Sequence, residues 1–119
     1  MEAWRDALTI QPQFIRDHET QAAVVNDRIV GFYALDGHDK RLELAHLWVL
    51  PEMMGRGIGR ALFAHAAARA KELGYREMEI ESDPNAEGFY LRLGARRAGT
   101  NSKMLEGGQR DLPVLIFEL

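Results

Sequence analysis

Three glycines at alternate positions, in Met54-Gly55-Arg56-Gly57-Ile58-Gly59-Arg60, form the segment of this chain best suited to hold an anion. A missing Cβ lets backbone N–H groups come close to phosphate oxygens and permits dihedrals that other residues avoid. The turn precedes a run with helical spacing, and the free N–H groups at a helix start carry partial positive charge that suits a pyrophosphate. Arg56 and Arg60 can add charge-assisted hydrogen bonds to the same phosphates, the alternative for both being plain solvent exposure. Two nucleotide motifs fail on spacing. A Walker loop needs Gly-Lys followed by Ser or Thr, which is absent, and the dinucleotide pattern wants its third glycine where Arg60 stands. A glycine turn is also common punctuation between elements, so its flanks decide its meaning.

Those flanks read as alternating strands and helices. Ala22 to Val25 and Arg28 to Leu35 are β-rich runs joined by Asn26-Asp27, good hairpin chemistry, and Asp36-Gly37 is expected to turn the chain again. Residues 41–49 alternate, with Leu42, Leu44, His46 and Trp48 expected on one face and Glu43, Ala45, Leu47 and Val49 on the other. From Ile58 to Leu73 the period becomes helical, with Ile58, Ala61, Leu62, Ala66, Ala70 and Leu73 on one stripe and Gly74 as the C-cap. A strand at Met78 to Ser82, a short helix from Asn85 to Leu93 ending at Gly94, and a final strand from Leu112 to Leu119 complete the pattern. Residues 2–19 read as one or two short helices, broken or restarted at Pro12. The whole is an α/β or α+β sheet domain.

Leu47-Trp48-Val49-Leu50-Pro51-Glu52 followed by Gly55-Arg56-Gly57-Ile58-Gly59-Arg60-Ala61-Leu62 resembles the acetyl-coenzyme A signature of the GNAT superfamily of N-acetyltransferases. Downstream, the segment from Asp83-Pro84-Asn85 through Phe89-Tyr90-Leu91-Arg92-Leu93-Gly94-Ala95 resembles the next conserved block of that family, in the same order and at the usual separation. The resemblance covers roughly residues 42–95 and implies an α+β fold: a central mixed, mostly antiparallel twisted sheet flanked by helices. It also implies that this chain lacks the family's usual first strand and much of its first helix. Two strands of such a sheet splay into a cleft for the pantetheine arm, which the backbone of Leu47, Trp48 and Val49 would pair. By the same resemblance the Val49 amide points at the acetyl carbonyl as an oxyanion donor. The resemblance further implies that Gly55, Arg56, Gly57, Ile58, Gly59 and Arg60 would hold the pyrophosphate and that Asn85 would bond the pantetheine region. One departure is Met54, where the family commonly has Gln or Arg.

An amine acceptor must lose a proton before it attacks, because a lysine-like amine has a pKa of about 10.4. The position of Glu43, fourteen residues before Gly57, resembles that of the glutamate base in the histone-modifying branch, against the common fate of an exposed strand carboxylate. His46, one residue from the cofactor-pairing stretch, is the alternative base, against the reading of a satisfied core or interface histidine. Tyr90 matches the family's general acid, which protonates the departing thiolate, although adjacent aromatics such as Phe89 and Tyr90 also serve as packing. Glu77, Glu79 and Glu81 share one strand face and read as a solvated row. No His/Asp/Glu group has metal-ligand spacing and cysteine is absent, so no metal is expected.

The 119 residues, 46 % hydrophobic, suit a single domain spanning 1–119. The absence of cysteine and of a signal-like or membrane-length apolar run points to a cytoplasmic location. A net charge of −3 without a dense basic face argues against nucleic acid as a partner. The expected function is transfer of acetyl from acetyl-coenzyme A to a primary amine, of a small molecule or a protein, by direct attack in a ternary complex. The competing reading is a non-catalytic coenzyme A sensor or scaffold, with a phosphate-binding domain for another nucleotide behind it. The final strand, if left as an uncovered edge, makes a homodimer plausible.

Overall fold

The computed structural model describes residues 9–15, 18–38, 41–105 and 107–119. Among them, β1 (Thr9–Ile15), β2 (His18–Val25), β3 (Arg28–His38) and β4 (Arg41–Val49) come first; a 3-10 turn (Pro51–Met53) and α1 (Ile58–Glu72) follow. Then come β5 (Glu77–Glu81), α2 (Glu87–Arg92), β6 (Arg96–Leu105) and β7 (Gly108–Glu118). The strands form one sheet in the order β1-β2-β3-β4-β5-β7-β6, antiparallel throughout except where β4 meets β5. This is the mixed, mostly antiparallel sheet with flanking helices that the family resemblance implied.

Several local expectations are corrected. Residues 9–15 and 18–19, expected to be helical, are extended, so a strand does stand ahead of the hairpin where none was expected. Pairing along the edge of β2 outweighs a weak helical period that Pro12 already interrupts. Asp36 and Gly37 do not turn the chain; they pair with Glu43 and Leu42 as β3 runs on to His38. The Asn26-Asp27 turn is as expected, with positive φ at both residues (50° and 65°), the twist that suits a two-residue hairpin. β6, polar and exposed, was not foreseen, and it places β7 between two neighbours. The final strand is therefore interior, and the uncovered-edge argument for a homodimer falls away.

The faces of β4 also differ from simple alternation. Ala34 pairs with His46 and Leu35 with Leu44, so Ala45 is an extra residue, a β-bulge. A one-residue slip flips every later side chain to the other face. Leu42 and Leu44 are buried before the bulge, Val49 is buried and Leu47 half-buried after it, while His46 and Trp48 turn outward.

The inner face packs on α1, whose Ile58, Leu62, Phe63, Ala66 and Ala70 are buried against Tyr33, Leu35, Leu42, Leu44, Met78, Ile80 and Leu115. Each large aliphatic side chain so buried contributes about 1.5–3 kcal/mol. Phe63 joins the stripe and Leu73, expected on it, is exposed. At the end of α1 the Tyr75 and Gly74 amides donate to the Ala70 and Lys71 carbonyls, with Gly74 at φ 95°, which closes the helix in a Schellman motif.

Candidate active site

β4 and β5 pair in parallel through only two positions, Leu42 with Met78 and Glu43 with Glu79. Past the bulge β4 stays with β3 while β5 follows β7, so a gap opens between neighbouring strands. The Leu50 amide donates to the Val30 carbonyl at 2.8 Å. Donors alternate along an antiparallel ladder, so Trp48, two residues back, also turns its amide and carbonyl to β3. Leu47 and Val49 turn theirs the other way, into the gap, where no strand takes them up.

A cleft of about 660 Å³ extends from this gap, within the size range of small-molecule sites. Its β4 wall is Leu47 and Val49, and its floor is the glycine turn with Gly55, Gly57, Gly59 and Arg60. Gly55 and Gly57 have φ of 80° and 83°, a left-handed conformation that glycine enters freely. Gly57 caps α1 without a side-chain hydrogen bond, and its carbonyl accepts from Ala61, which leaves the earlier amides of the turn open. A Cβ on Gly59 would lie 3.3 Å from the Phe89 ring and 3.5 Å from Val49 Cγ2, so glycine also permits the close approach of α1 to α2 and β4.

The opposite wall is α2 and the loop before it. Asp83 Oδ1 accepts from the Asn85 amide at 2.8 Å and its carbonyl accepts from Ala86 at 2.9 Å, which holds Asn85 on the cleft. Tyr90 is 7 % exposed, packed on Phe63 and Phe89 with ring centroids 5.8 and 5.1 Å away, and lines the cleft. Its hydroxyl has no hydrogen-bond partner among the described residues. Burial raises its pKa, so the phenol stays protonated and can only give its proton to something in the cleft.

The remaining sequence candidates lie elsewhere. Ile58 is fully buried, so only its backbone can face a ligand; Arg56 is exposed on the turn outside the cleft lining. Glu43, His46 and the Trp48 side chain occupy the face of β4 turned away from the helices, opposite Asp36, Ala34 and Phe32. Glu79 is paired with Arg41; Glu81 bonds Lys103 (2.6 Å) and Asn101 (2.7 Å). Burial pulls the Glu81 carboxyl up, but these two hydrogen bonds together hold it below its ordinary range. Met54, Asp83, Ala86, Phe89 and Arg92 also line the cleft, none of them expected from the sequence to bind or catalyse. Arg92 had a signal, falling two residues after Tyr90 on a short helix that must face the glycine turn.

A family model described as an acetyltransferase (GNAT) domain matches residues 4–112 of this chain. The chain belongs to the GNAT acetyltransferase family. As a member it is an acyltransferase enzyme. No curated protein matches the GNAT chain itself. Among solved structures, a GNAT family acetyltransferase from Elizabethkingia anophelis with acetyl-CoA bound is 20 % identical with a TM-score of 0.81, covering 96 % of this chain and 99 % of that one. A Bacillus subtilis acetyltransferase in complex with CoA is 19 % identical, TM-score 0.81, with 94 % and 99 % covered. The ribosomal-protein-S18-alanine N-acetyltransferase from Escherichia coli is 19 % identical, TM-score 0.74, with 88 % and 71 % covered. At these identities the likeness is one of fold. Among the described residues of this GNAT domain no group of side chains could hold a metal ion, and no helix is long and apolar enough to cross a membrane.

Proposed function

We propose that this GNAT protein, a single domain over residues 1–119 acting in the cytoplasm, binds acetyl-coenzyme A in the cleft and passes its acetyl group to a primary amine by direct attack. The observation that carries the reading is the Tyr90 hydroxyl, without a partner among the described residues, on the same cleft as the glycine turn and the outward amides of Leu47 and Val49. Solved relatives of the same fold that hold acetyl-CoA and CoA support the choice of ligand.

Each wall then has a task. Gly55, Gly57 and Gly59 offer backbone N–H groups, and Arg60 a guanidinium, to the pyrophosphate. Leu47 pairs the pantetheine arm as a missing strand would, assisted by Asn85. The Val49 amide donates to the oxygen that becomes negative as the amine adds to the carbonyl carbon. Tyr90 gives its proton to sulfur as the carbon–sulfur bond breaks. His46 and Glu43 stand on the far face of β4 beside the gap, placed to take the proton of an amine that enters from that side.

A second reading, a coenzyme A sensor without turnover, draws on one fact: neither Glu43 nor His46 lines the cleft. Titration calorimetry with acetyl-coenzyme A, followed by thiol release in the presence of primary amines, separates the two. Transfer predicts binding in the micromolar range and amine-dependent thiol release that Tyr90→Phe lowers about 100-fold with affinity retained. Binding without release from any amine selects the sensor; absence of binding ends both.

A further inference from the structure

Because of the bulge at Ala45, Glu43, His46 and Trp48 follow one another along the outer face of β4, with Asp36, Ala34 and Phe32 beside them on β3. The Phe32 and Trp48 rings have centroids 6.0 Å apart and planes tilted by 35°. Trp48 is 42 % exposed, a large apolar surface spent on solvent rather than on the core. With His46 and Leu47 this pair bounds a depression of about 390 Å³, and opposite His46 stands only the small Ala34. Leu47 lines both this depression and the coenzyme cleft, so a single strand separates the two.

We propose that the depression is the acceptor site, and that it takes a primary amine joined by a short alkyl spacer to an aromatic-sized apolar body. The inference rests on the cleft holding the acetyl donor, since the two sites must meet at one carbonyl. The apolar body lies on Trp48 and Phe32, where offset stacking favours a flat ring. The amine end points along β4 to His46, with Glu43 as the next carboxylate on that face. A polycation is a poorer fit, because further along the same face Glu79 is neutralised by Arg41 and Glu81 by Lys103. The reaction balances: the ammonium gives one proton to His46, the free amine forms the carbon–nitrogen bond, the carbon–sulfur bond breaks, and the thiolate takes the Tyr90 proton. The nitrogen then sheds a second proton, which restores Tyr90 through solvent, so one net proton is released.

The test uses the whole protein and phenethylamine as probe, with spermidine and an alanine-terminated peptide as competitors. Calorimetry with phenethylamine, with and without coenzyme A, reads the depression directly, while thiol release reads transfer. Phenethylamine is expected to exceed both competitors in kcat/KM by at least about tenfold, and Trp48→Ala to raise its KM by at least about tenfold with acetyl-coenzyme A affinity within about twofold. Phe32→Leu, a milder change, is expected to raise KM in the same direction. Preference for spermidine or the peptide, an unchanged KM in Trp48→Ala, or no binding of phenethylamine in either state overturns the inference. If phenethylamine binds and acetyl-coenzyme A does not, the cleft reading falls and takes with it the assignment of the depression as an acceptor site, leaving only its affinity for an aromatic amine.

Discussion

Tyr90 is held between Phe63 and Phe89 on the cleft wall, and its hydroxyl has no partner among the described residues, so that hydroxyl adds little to the fold. Tyr90→Phe removes only the hydroxyl. It is expected to leave thermal stability equal or slightly higher while kcat for acetyl transfer drops about 100-fold and KM for acetyl-coenzyme A stays put, read by melting and thiol release. A packing role alone would leave kcat unchanged. The residue also shows where reading a sequence stops. Its type and its place in the block after Asn85 were visible, but its burial and its empty hydroxyl depend on Phe63 and Phe89, which the fold brings to it.

At the scale of elements, the bulge in β4 and the glycines around it decide the site. A Cβ on Gly31 would sit 2.7 Å from the Trp48 carbonyl oxygen and 3.0 Å from Leu62 Cδ1. Gly31→Ala must therefore push β4 from β3 or α1 from the sheet, and is expected to lower unfolding stability by about 1–3 kcal/mol in denaturant titration. Gly57→Ala meets a different penalty, a left-handed φ of 83°, worth about 1–2 kcal/mol in stability. Its effect on acetyl-coenzyme A affinity is expected to exceed its effect on melting, because the turn carries the amides proposed to hold the pyrophosphate. The two substitutions separate ladder geometry from turn geometry.

Across the whole molecule, Glu19 and Arg69 tie β2 to α1 at 2.7 Å, with Gln21 also donating to the carboxylate. The Arg69 hydrogen bond holds the Glu19 carboxyl below its ordinary range against the opposing pull of burial. A depressed folded value means this stabilisation is present above the unfolded pKa of about 4.3 and is lost as pH falls through the lower folded value. Glu19→Gln should flatten the acid limb of a stability profile measured by denaturant titration, and an unchanged limb would show the tie to be idle. Tyr33, buried with its hydroxyl 2.8 Å from His65 Nδ1, is shifted upward by burial. Its contribution is whole below about pH 10 and is lost as pH rises beyond it, so Tyr33→Phe should soften the alkaline limb.

Local chemistry was legible in the sequence. The Asn26-Asp27 hairpin, the helix from Ile58 to its Gly74 cap and the glycine turn follow from residue types and spacings that act within a few positions, and the structure keeps all three. What depends on distant pairing was not. The strand at Thr9–Ile15, the interior place of β7 and the flip of β4 at Ala45 are settled by which strand lies beside which, and a period of two carries no sign that one residue is extra. That flip sets Leu47 and Val49 toward the cleft and sends His46 and Trp48 to the other face, where Glu43 already stands. Residue type and local spacing set which groups are available for chemistry. Which side of the sheet each one serves is settled only in the assembled sheet, because facing is a property of register between strands rather than of any segment.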